Sequence, residues 1–133
     1  MKNLNIKILV ILFLSFIIVS SSCNDKEDKT KGNIVVSCVP LEGENVDVSS
    51  LTVELHKNAD YKTVFKTATA TGSATTSSVT FPDIDNGSYY LLAWKDLDNN
   101  QDYSSGDYFG FSDIRIIVDG EEVTYTIKVY VAD

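Results

Sequence analysis

From Asn33 to the C-terminus the apolar positions recur every second residue, and no stretch carries the three-to-four spacing of an amphipathic helix. Leu51, Val53 and Leu55 alternate with Thr52, Glu54 and His56, and Val123 to Val131 alternates in the same way. Both read as half-buried strands with one face on a core and the other, His56 included, toward solvent. Residues 33–39, 63–70, 75–81 and 114–118 are further strand candidates, rich in β-branched side chains. Tyr89 to Trp94 is apolar on both phases, as a central strand buried on two faces would be.

The punctuation agrees with strands. Asn86-Gly87 and Asp119-Gly120 supply the positive φ that tight turns require. Pro40 and Pro82 are expected at strand ends, where a missing N–H does no harm. The polar run from Gly72 to Ser78 reads as a hairpin loop or an edge. About seven short strands in about a hundred residues predict an all-β fold, a single antiparallel Greek-key β-sandwich.

The N-terminus follows a different pattern. Lys2 and Lys7 precede an apolar run from Ile8 to Val19, broken only by Ser15, and three serines then lead to Cys23. Its twelve residues reach roughly 18 Å as a helix, short of the ~30 Å hydrocarbon core. A basic head, an apolar run and small residues before a cut are the layout of a secretory signal, assigned to residues 1–22. With Cys23 directly after the small residues, the segment resembles a bacterial lipoprotein signal. That resemblance implies lipidation of the Cys23 thiol and anchorage in a bacterial cell envelope, at the outer membrane or cell surface. Ser20 stands where such signals usually carry an aliphatic residue, a loosening similar to that of Bacteroidetes lipoproteins. Residues 24–32 contain no apolar side chain and read, with Cys23, as a charged tether to a domain spanning 33–133. Asp25, Glu27 and Asp28 resemble the surface-export signal of Bacteroidetes lipoproteins and equally suit an ordinary solvated spacer.

Removing the signal leaves 111 of 133 residues, one domain's worth, and takes the formal charge from −8 to −10. Such an acidic surface argues against nucleic acid as a partner and suits divalent cations. If Cys23 carries lipid, Cys38 has no partner for a disulfide; it falls on the apolar phase and reads as a small buried hydrophobe.

Residues 81–96 (FPDIDNGSYYLLAWKD) combine an apolar-Pro-Asp start, a glycine turn, an aromatic-rich strand and a closing Asp. This resembles the carboxypeptidase regulatory-like, prealbumin-like β-sandwich superfamily. The resemblance implies an Ig-like or prealbumin-like sandwich and a non-catalytic module on a secreted or surface protein. It names no ligand.

The chain's best chemical constellation follows that strand. Asp96, Asp98, Asn100, Asp102, Ser104 and Asp107 fall at relative positions 1, 3, 5, 7, 9 and 12, the spacing of an EF-hand calcium loop. Calcium is hard, takes about six to eight oxygens and tolerates irregular geometry, so alternate oxygen-bearing side chains suit it better than magnesium. In that scheme Asp96, Asp98 and Asn100 offer side-chain oxygens, Asp102 its carbonyl, Ser104 a water-mediated contact, and Asp107 closes the site. Position 6 is Gln101 instead of glycine, and position 12 is Asp instead of a bidentate Glu, similar to dockerin loops. A solvated hairpin loop is the competing reading, against which stands the mutual repulsion of four carboxylates.

Catalytic signatures are sparse. His56 is the only histidine, no nucleophile elbow or Cys-x-x-Cys pair occurs, and Gly-rich phosphate loops are absent. A small hydrolase would need a cleft with converging carboxylates. Tyr89, Tyr90, Trp94, Tyr103, Tyr108, Phe109 and Phe111 crowd the acidic loop. Filling the core by alternate members is the expected use, and a sugar-stacking platform the alternative. The sequence thus predicts a non-catalytic envelope lipoprotein with a calcium-binding β-sandwich. A carbohydrate-binding accessory protein is the second reading, with a surface glycan or protein as partner.

Overall fold

The computed structural model describes residues 29–133. The signal segment, Cys23 and tether residues 24–28 lie outside the described residues. Nine strands form one sheet: β1 (Lys31–Pro40), β2 (Thr52–His56), β3 (Val64–Thr69), β4 (Thr71–Gly72), β5 (Ser77–Asp85), β6 (Gly87–Lys95), β7 (Tyr108–Phe111), β8 (Ile116–Val118) and β9 (Val123–Val131). The described residues contain no helix, so the all-β expectation holds.

The strand order is β3-β2-β6-β7-β9-β1-β5-β4, with β8 added to the start of β6. At one corner the chain links the two ends of that order. β3 runs along β2, Ala70 donates its N–H to the Leu51 carbonyl at 2.9 Å, and β4 then runs along β5. The sheet is therefore nearly closed, like a barrel. It is also mixed: β1 and β9 pair in parallel, whereas the expectation was wholly antiparallel. Alternation along a strand reports which face is buried but carries no information on strand direction, so the pattern alone did not reveal this pair.

The alternating residues do what their period dictates. Ile34, Val36 and Cys38 of β1, Val53 and Leu55 of β2, Leu91 and Ala93 of β6, and Ile127 and Val129 of β9 are all buried in one core. Burial pushes the Cys38 thiol up to about 11, with a hydrogen bond to Ser77 opposing it, so the side chain is an inert filler. Gly110 lets β7 lie close to β9: a Cβ there would sit 2.6 Å from the Lys128 carbonyl oxygen and 2.7 Å from Ile127 Cγ2.

Two turn expectations are refined. Asn86-Gly87 joins β5 to β6, but these strands do not pair with each other; the turn carries the chain from the β1 side of the sheet to the β2 side. Asn86 holds it, accepting from the Gly120 N–H at 2.7 Å and donating to the Lys29 carbonyl at 3.1 Å. Gly120 has φ +72°, the left-handed region expected of its turn. Pro82 lies inside β5 instead of at its end. The register of β1 and β5 shifts between Gly32 and Ile34, and Asp83 beside Pro82 has φ +55°. A bulge leaves residues outside the ladder, which is where a strand tolerates proline.

Candidate metal loop and aromatic face

The acidic loop leaves the end of β6 and returns at β7. Asp96, Asp98 and Asp107 each offer a carboxylate oxygen, and the three oxygens lie within 4.8 Å of one another. These residues could hold a metal ion. Asp107 is the most buried of them, 3% exposed, and it organises the loop. One oxygen accepts from the Leu97 N–H at 2.8 Å; the other accepts from the Ser104 N–H and hydroxyl at 3.0 and 2.9 Å. The Leu97 bond is the main cause that holds the Asp107 carboxyl below the usual range; burial opposes it, and Ser104 adds to the lowering.

Asn100 crosses the loop, donating to Asp98 Oδ2 and to Ser104 Oγ, both at 3.0 Å, while its own oxygen accepts from the Asp102 N–H at 2.8 Å. The Asp102 carboxylate turns away to the Tyr103 N–H at 2.8 Å and is not among the three clustered acids. Asp96 uses Oδ2 to accept from the Gln101 N–H at 2.8 Å. Its Oδ1 is buried and has no hydrogen-bond partner, which is costly for a carboxylate oxygen unless a ligand completes it. Gln101, at the position where a calcium loop usually has glycine, has φ +65°. The backbone thus takes the left-handed bend of that position in spite of the side chain.

Beside the loop, the outward face of β2, β6, β7 and β9 carries a second apolar layer. Across the ladder Glu54 stands opposite Leu92 and Leu92 opposite Phe111. The next row runs Thr52, Trp94, Phe109, Tyr130. This explains why Tyr89 to Trp94 is apolar on both phases: Tyr89, Leu91 and Ala93 face the core, whereas Leu92 and Trp94 lie under aromatic side chains from neighbouring strands and loops. Filling of the core by alternate aromatics therefore applies to Tyr89 and in part to Tyr108. Tyr103 and Phe111 are 48% and 44% exposed.

Beneath this layer lies a polar cluster that the alternation concealed. His56 is 0% exposed and Glu54 8%, although the period-two pattern assigns both to the solvent side. Glu54 Oε1 accepts from Trp94 Nε1 at 3.0 Å, and Oε2 accepts from Tyr103 Oη at 3.3 Å and pairs with His56 Nε2 at 3.0 Å. The other imidazole nitrogen faces the Thr63 carbonyl oxygen at 3.1 Å. A carbonyl only accepts, so Nδ1 is the nitrogen that donates to Thr63. The ring is thus held at both nitrogens, between the Glu54 carboxyl group and the Thr63 carbonyl. Tyr61 packs edge-on against the ring, 5.2 Å between centroids. Burial, reinforced by the nearby Glu54 charge and hydrogen bond, pushes the Tyr103 hydroxyl up to about 12.

The chain matches no protein-family model, no curated protein and no solved structure.

Proposed function

We propose that this is a non-catalytic cell-envelope lipoprotein, anchored through Cys23, whose domain binds calcium through the acidic loop in a structural or binding role. The observation that carries the metal reading is the convergence of Asp96, Asp98 and Asp107 around the unpartnered, buried Asp96 Oδ1. The left-handed Gln101 supports calcium over a plain solvated loop, because that bend turns alternate side chains toward a common centre. Asp102, in this reading, contributes its carbonyl and Asn100 its side-chain oxygen. Two walls, β2–β6 and β1–β5, enclosing one core support a prealbumin-like sandwich as the description of the fold.

The anchor reading gains support from chain placement. Lys29 lies at the Asn86 and Gly120 end of the domain, whereas the acidic loop lies past the far end of β6. Nine strand residues at about 3.3 Å each separate the two ends by about 30 Å. A lipid on Cys23 would hold the first end near the membrane and present the loop away from it, toward the outer membrane's surroundings.

Calorimetric titration of the full chain tests the metal. Calcium is expected to bind with Kd on the order of 10⁻⁴–10⁻³ M, as extracellular modules do, and Asp96→Ala with Asp98→Ala to abolish the heat. Absence of both heat and a shift in melting temperature at millimolar calcium sinks the reading. A second reading, carbohydrate binding, is favoured by one observation: large aromatic side chains stand exposed on the outer face instead of filling the core.

A further inference from the structure

The outer aromatic layer is concave. Tyr103 and Phe109 stand at 81° to each other, Phe109 and Phe111 at 57°, and Tyr61 and Phe111 at 66°, so the rings make walls and floors, not a flat plane. Between them lies a depression of about 390 Å³, lined by Tyr61, Leu92, Tyr103, Phe109 and Phe111 with Asp60 at its rim. Two more depressions adjoin it. One, about 430 Å³, shares Tyr103 and Phe109 with it; the other, about 270 Å³, shares Phe111. Tyr130 borders both of these, so the hollows are separated by single aromatic side chains.

The walls are held from behind. Tyr103 is fastened to Glu54, and Tyr61 donates its hydroxyl to the Ser112 carbonyl at 3.0 Å. Tyr61 also has φ +53°, a conformation that a bulky residue rarely adopts and that its surroundings must enforce. Rings held in this way need little ordering on binding.

We propose that the depression between Tyr103 and Phe111 seats one pyranose ring of a neutral oligosaccharide, and that the adjoining hollows take the neighbouring sugars. This rests on the carbohydrate reading and specifies its ligand. A pyranose presents an apolar C–H face and a hydroxyl edge. Aromatic floors match the face, and the Asp60 carboxylate, with Asp113 and Ser104 in the flanking hollows, offers hydrogen-bond acceptors to the edge. Hollows that adjoin across single side chains suit neighbouring rings of one oligosaccharide. The formal charge of −8 selects against uronates and other polyanions.

The test is titration of the full chain, in a zwitterionic detergent without a sugar headgroup, with neutral gluco-, xylo- and manno-oligosaccharides and one polyuronate. Trp94, the only tryptophan, lies 4.9 Å from Tyr103 between ring centroids, so its fluorescence reports the wall while calorimetry reports affinity. At least one neutral oligosaccharide is expected to bind and the polyuronate not. Phe111→Ala should weaken binding at least tenfold, Phe111→Tyr should retain it, and Ile117→Ala, an exposed apolar control on β8, should leave it unchanged. Silence from every oligosaccharide overturns the carbohydrate reading and this inference together. Sugar binding indifferent to Phe111→Ala overturns the inference alone, and preference for the polyuronate overturns the neutral ligand.

Discussion

Tyr103, in the middle of the acidic loop, donates its hydroxyl to the buried carboxylate of Glu54, forty-nine residues earlier, at 3.3 Å. One hydrogen bond therefore connects the candidate metal loop to the polar cluster under the aromatic face. Its two ends are not equivalent. Glu54 also satisfies Trp94 and His56, whereas Tyr103 satisfies only itself.

That asymmetry predicts the ranking of two substitutions. Tyr103→Phe keeps the ring and loses one exchangeable hydrogen bond, an expected cost of about 0.5–1.5 kcal/mol. Glu54→Ala removes the partner of the Trp94 N–H, the Tyr103 hydroxyl and the buried His56 Nε2 together, so a larger loss of about 2–5 kcal/mol is expected. Urea denaturation of both variants checks the order, and a larger loss for Tyr103→Phe would contradict the cluster described here.

His56 is expected to show an Nδ1–H signal in a nitrogen-correlated NMR spectrum, slow to exchange because the ring is fully buried and bonded to the Thr63 carbonyl. A rapidly exchanging Nδ1 proton would contradict the bond to Thr63.

Acid should loosen the loop through Asp107. Its folded-state pKa lies below the ordinary 3.8, so the stabilisation is complete above that value. It is lost as pH falls through the lower, folded value, because the protonated form can no longer accept from Leu97 and Ser104 together. Unfolding midpoints recorded from about pH 5 down to about pH 2 should fall for the wild type. Asp107→Asn, less stable at neutral pH, should show a flatter profile over the same window.

Gln101 tests the backbone. At φ +65°, Gln101→Gly should be neutral or stabilising, since glycine adopts that conformation without a Cβ penalty. Gln101→Val should cost about 1–2 kcal/mol, the left-handed region being hardest on a β-branched residue. Thermal melts compare the two, and equal melting temperatures would show that the loop relaxes out of the bend.

How much of this was legible depends on the range over which each feature is encoded. β1, β2 and β9 follow from alternation, which is local, although β1 begins at Lys31, two residues before the alternation predicts. β7 is only four residues long and lies among aromatics that also suit a loop wall, so no periodicity marks it. The acidic spacing pointed to Asp96, Asp98, Asn100, Asp102 and Asp107, and the carboxylates of Asp96, Asp98 and Asp107 converge, because a loop of nearby residues can do so by itself. Glu54 and His56 misled the reading. Their burial depends on Tyr61, Trp94 and Tyr103, and nothing near β2 in the chain announces a cover arriving from residue 103.

The sequence by itself determined an all-β chain, the inward phase of its strands, an inert Cys38 and a spaced run of carboxylates, because each depends on neighbours a few residues away. Only the tertiary structure decided the parallel pairing of β1 with β9, the near-closure of the sheet at Ala70, and the aromatic cover that buries Glu54 and His56 on the outer face. Those features join residues far apart in the chain, and which of them meet is set by the strand order and not by any local pattern.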